Sequence, residues 1–156
     1  MANILIVVCS HPSQNRSFPV VCFSSENSFL RFVSRNNLIK VPSSISDVQY
    51  YRNKKSKYLY SIKQVKVTQT SLDLVSKMGI WIVFQLDNCP IDPVRCCVSE
   101  DEAIEFAKKL GYSKPSSEDP RILFSEGTAS RLFYVNMDIV SDYQLNTSEI
   151  EMLLSI

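Results

Sequence analysis

The chain has 156 residues, 45% of them hydrophobic and 21% charged, with 17 Lys and Arg against 16 Asp and Glu. That profile fits a globular protein with one sizeable core or two small ones, and it excludes a disordered tail, a collagen-like chain and a membrane-spanning protein. No apolar run approaches the roughly 20 residues of a membrane span.

Taken in chain order, residues 4–9 are short, apolar and β-branched, which predicts a buried strand. They follow no basic segment, so a secretory signal is not expected and a cytoplasmic, reducing location is. Five cysteines, an odd number, also cannot all pair internally. A loop with Pro12 leads to a second strand from Pro19. A helix then presents Phe29, Leu30, Phe32 and Val33 on one face and stops at Asn36-Asn37. Residues 47–51 and 57–67 read as strands, and 70–77 as a short capped helix.

The second half repeats the series. Residues 78–85 form a strand, a loop with Pro90 follows, and a second strand starts at Pro93. Ser99-Glu100-Asp101-Glu102 fits a capping box with acids in the first turn. Ala103, Ile104, Phe106, Ala107 and Leu110 give a helical apolar face, and Gly111 a C-terminal stop. Residues 121–125 and 131–141 are strands, joined by a turn at Glu126-Gly127-Thr128. Residues 147–155 close the chain as a helix.

Sliding the chain by 74 residues lays Pro19-Val20-Val21-Cys22 over Pro93-Val94-Arg95-Cys96, Ser25-Glu26 over Ser99-Glu100, and Tyr60 over Tyr134. From Ile4/Met78 to Lys66/Val140 there are 11 identities in 63 pairs, against roughly four by chance. The expected architecture is therefore α+β: a tandem duplication of a ββαββα unit, residues 1–74 and 75–156. It should be pseudo-twofold and mostly antiparallel, with helices packed on one face and the copies forming one body. One detail breaks the pattern. Phe133, Val135, Met137 and Ile139 alternate toward a core, but Leu59, Ser61, Lys63 and Val65, which lie over them, do not.

Charge divides along the same line. Residues 1–74 carry ten basic and three acidic side chains, hence +7; residues 75–156 carry seven basic and 13 acidic, hence −6. The basic charge concentrates around Tyr50, Tyr51, Arg52, Lys54, Lys55 and Lys57. Basic residues interleaved with tyrosines suit phosphates and unstacked bases, or an acidic partner; a solvated, lysine-protected hairpin is the plainer reading. Opposite halves could also attract, within one molecule or between copies.

Catalytic equipment is sparse. His11 is the only histidine and the cysteines contain no CxxC pair, so no metal site and no cofactor are expected. The three glycines are isolated, which excludes Gly-rich phosphate cradles. Cys9 followed by Arg16-Ser17 superficially resembles the phosphate loop of low-molecular-weight protein tyrosine phosphatases, in which five residues separate cysteine from arginine. Here six intervene and the glycines are missing. Asp87 and Asp92 could form a carboxylate pair but read better as turn formers. The leading expectation is a non-enzymatic binding, adaptor or inhibitor protein acting on another protein. RNA or single-stranded DNA binding by the basic hairpin comes second, and a Cys9-dependent enzyme is a remote third.

Overall fold

The computed structural model describes residues 2–11, 16–42, 48–54, 57–88 and 90–154. β1 (Ala2–His11) pairs antiparallel with β2 (Arg16–Phe23). The Ser25 hydroxyl then accepts from the Ser28 N–H at 3.1 Å and caps α1 (Glu26–Arg35). The chain turns out of α1 through Asn37 at φ 53°, a left-handed conformation that asparagine tolerates. β3 (Leu38–Val41), β4 (Val48–Asn53) and β5 (Leu59–Val67) complete an antiparallel sheet of order β2-β1-β5-β4-β3.

α2 (Gln69–Met78), capped by Thr68, leads into the second half. There β6 (Ile80–Gln85) pairs with β7 (Asp92–Cys97), and α3 (Glu100–Lys109) follows. Ser99 caps α3 as expected, while Glu102 reaches back to the Val98 N–H at 3.2 Å. β8 (Tyr112–Pro115), β9 (Ile122–Ser125) and β10 (Arg131–Met137) give the order β7-β6-β10-β9-β8. α4 (Thr147–Leu154) ends the described chain.

The fold is thus α+β, with two five-stranded antiparallel sheets and four helices among the described residues. Each half carries one strand more than a ββαββα unit. β3 and β8 are four-residue edge strands. They are too short to show a period and hold the Lys and Pro that mark sheet edges. The expected boundary between residues 74 and 75 falls inside α2.

Three packed clusters order the layers. Phe29 and Phe32 of α1 pack on Leu5, Val7, Val21, Phe23, Tyr51 and Ile62, the outer face of the first sheet. α3 covers Val83, Leu123, Leu132 and Tyr134, the outer face of the second. Between the sheets, Ile4, Ile6, Val8 and Cys22 meet Ile80, Ile82, Phe84 and Ile91. α1 and α3 thus lie on the two outside faces, while Leu72 and Val75 of α2 join the cluster between the sheets, so the helices do not all pack on one face as expected. β1 is buried on both faces, so from Ile4 onward it reads as a nearly unbroken apolar run rather than an alternation. The two halves share a core rather than a continuous sheet. The segment after β10 also covers the β2 edge, through a parallel bridge of Ile139 to Cys22. None of the described helices is long and apolar enough to cross a membrane.

Strand pairing fixes how the halves correspond. α1 and α3 start 74 residues apart, at 26 and 100. The register shift in β1 lies between Val7 and Val8, and in β6 between Val83 and Phe84, an offset of 76 (7 to 83). In β5 and β10, Tyr60 pairs with Tyr51 and Leu132 with Leu123, an offset of 72 (60 to 132). Both slips are even, so every side chain keeps its face and the two cores stay intact. An ungapped shift of 74 is right in the middle of each half and two residues out at the strands that form its center.

Candidate functional site: the cleft between the sheets

The corrected register leaves the broken alternation in place and sets Ser61 and Lys63 over Phe133 and Val135. Ser61 of β5 pairs with Val8 on one side and Tyr50 on the other. Its counterpart Phe133 pairs with Phe84 and Ile122. Likewise Lys63, between Ile6 and Val48, corresponds to Val135 beside Ile82. Phe133 stacks on Phe84 with ring centroids 6.3 Å apart and helps to fill the space between the sheets. The first half places a hydroxyl and an ammonium where the second places a ring and a branched alkyl group.

The consequence is a cleft of about 470 Å³ over the inner face of the first sheet. Ile6, Val8, Val48 and Tyr50 of the first sheet line one side, and Asn88, Pro90 and Ile91 of the β6–β7 connection with Pro93 of β7 line the other. The Lys63 Nζ donates to Asp92 Oδ1 at 2.7 Å and ties the two sheets together; the side chains are 24% and 35% exposed. The Ser61 hydroxyl donates to the Val8 carbonyl at 3.4 Å. Asp87, also in the lining, accepts from the Arg131 guanidinium at 3.1 Å. Asp87 and Asp92 are therefore held by separate cations rather than paired with each other.

The basic hairpin is placed next to this cleft, but its residues do not share one surface. Alternation along β4 sends Tyr50 to the inner face and Tyr51 to the outer one. Tyr51 is buried edge-on against Phe29, with ring centroids 5.5 Å apart, and burial pushes its phenol above the usual range. Arg52 lies two positions past Tyr50 on the same face and is exposed, as are Lys54 and Lys57. Lys55 lies outside the described residues. Arg52 sits opposite Ile39, which is 41% exposed, so the inner face continues as an open strip from the cleft to the sheet edge. Among the tyrosines proposed from sequence as a stacking platform, Tyr50 faces the cleft and Tyr51 faces the core.

Cys9 is fully buried on the opposite face of β1, and burial pushes its thiol up to about 12. It stays protonated at neutral pH. His11 packs edge-on to Tyr58, with centroids 5.8 Å apart. The stretch between Cys9 and Arg16 includes residues 12–15, outside the described residues. Among the described residues no three His, Cys, Asp or Glu side chains converge as a metal site requires. Ser61, Lys63 and Asp92 went unrecognised as a site in the sequence, although the failed alternation at Ser61 and Lys63 was its visible trace. No family model, curated protein or solved structure matches the chain.

Proposed function

We propose that this is a non-enzymatic binding protein that engages another protein through the inner face of its basic half. The observation that carries the reading is the substitution of Ser61 and Lys63 for an apolar pair at the sheet interface. A polar pair there gives up packing that the other half obtains with Phe133 and Val135. Departures from the best local packing concentrate where a surface is kept for binding. The exposed Arg52, on the strand face that continues from the cleft, and the exposed Lys54 and Lys57 of the hairpin turn beyond it favour an acidic partner.

The test is capture on the immobilised full-length protein from native cell extract, with and without nuclease. A protein partner that survives nuclease and is lost on Arg52→Glu with Lys57→Glu supports the reading. The same three exposed cations favour a second reading, RNA or single-stranded DNA binding along the face that carries Arg52. Recovery of nucleic acid that disappears on nuclease treatment and falls steeply with salt would put that reading first.

A further inference from the structure

The polar groups within the cleft already satisfy one another. Lys63 is held by Asp92, Asp87 by Arg131, and the Ser61 hydroxyl by the Val8 carbonyl. What remains on offer is the partly exposed apolar surface of Val48, Tyr50 and Pro90 at the mouth, since Ile6, Val8, Ile91 and Pro93 are already buried beneath it. At about 470 Å³ the space is large enough to admit one bulky side chain. Asp87 and Asp92 in the lining oppose entry of a carboxylate. Outside the cleft the balance reverses, because Arg52, about 7 Å along the strand from Tyr50, and the exposed Lys54 and Lys57 belong to a half with ten basic and three acidic residues.

We infer that the cleft takes a single apolar side chain of the partner protein, carried on a segment whose flanking acidic residues lie on Arg52, Lys54 and Lys57. This rests on the proposed protein-binding function and names what occupies the site. The anchor buries against Val48, Tyr50 and Pro90, and the acids set orientation and speed of encounter. A lone carboxylate compound has no matching contact inside, and a basic segment is repelled at the rim.

The test selects random 12-residue peptides, displayed on phage, against the immobilised full-length protein. Enriched peptides are expected to share an aromatic or branched apolar residue flanked by Asp or Glu. Their affinity should drop at least tenfold on the filled variant Ser61→Phe with Lys63→Val, and on Lys63→Leu alone if the double variant fails to fold. Arg52→Glu should weaken them and flatten their salt dependence. Enrichment of peptides without acids, equal binding to the filled variant, or no enrichment at all would overturn the assignment. If a partner captured from extract still binds the filled variant, the anchor assignment fails while protein binding stands. If extract yields only nucleic acid, the functional reading itself fails.

Discussion

Giving the first half the residues of the second should stabilise the protein. Ser61→Phe with Lys63→Val places a ring and a branched side chain in the cleft, where Phe133 and Val135 stand in the other half. If the new ring removes on the order of 100 Å² of apolar surface from water, the gain is about 2.5 kcal/mol at 25 cal/mol per Å². Loss of the Lys63–Asp92 pair offsets at most about 1 kcal/mol, since both side chains retain contact with solvent. The expected net is about 1.5–2.5 kcal/mol of added stability. For a chain of this size that corresponds to about 3–10 °C in Tm. Thermal unfolding followed by circular dichroism, with guanidinium midpoints as a second measure, reads it directly. A lower Tm for both the double variant and Lys63→Leu would mean that the space is already spoken for, and would refute the correspondence of Ser61 with Phe133.

Three further outcomes follow from the packing. Phe32 is fully buried against Phe23, with centroids 5.3 Å apart, and also meets Phe29 and Tyr143. Phe32→Ala should therefore cost about 3–5 kcal/mol in denaturant unfolding, and a loss below 1 kcal/mol would contradict the central place given to α1. Gly79 links α2 to β6 at φ 85° and ψ 162°, and a Cβ there would stand 2.3 Å from Asn136 Oδ1. Gly79→Ala should cost at least about 2 kcal/mol, and an unchanged melting curve would show that the backbone can relax. Burial raises the Cys9 and Cys96 thiols to about 12 and Cys97 to about 11, whereas unfolded thiols titrate near 8.5. The unfolded chain therefore releases these protons first. Stability should be full below about pH 8.5 and fall as pH rises toward 11–12. A urea midpoint that holds constant or rises from pH 8 to pH 10 would count against this.

Much of the local structure was legible because its causes are local. Ser25 and Ser99 cap their helices through the next turn's N–H groups, and Gly111 and Gly127 adopt the positive φ that their turns need. Apolar spacing identified Phe29 and Phe32 of α1 and Ala103 and Ala107 of α3 as inward, but Leu30 and Leu110, placed on the same faces from the sequence, are 51% and 54% exposed. The edge strands β3 and β8 escaped notice because four residues with lysine or proline among them carry no period. The basic hairpin was found as a hairpin. Whether its tyrosines shared a surface, however, depended on which face of β4 met α1, and that places Tyr51 in the core.

Two similar halves, the mixture of helix and strand in each, and the separation of charge between them can all be read from the amino-acid order. Those properties reside in short windows of residues and in their sum. That the sheets lie face to face, and that the first and last long strands of the two halves align at 76 and 72 residues rather than 74, emerges from the folded arrangement alone. Pairing register is set by hydrogen bonds between strands far apart in the chain, and an even slip leaves the apolar pattern of each strand unchanged. The cleft follows from that register. Ser61 and Lys63 look like an irregular strand until Val8, Tyr50 and Asp92 are brought to them, and then they mark the place where the interior was left open.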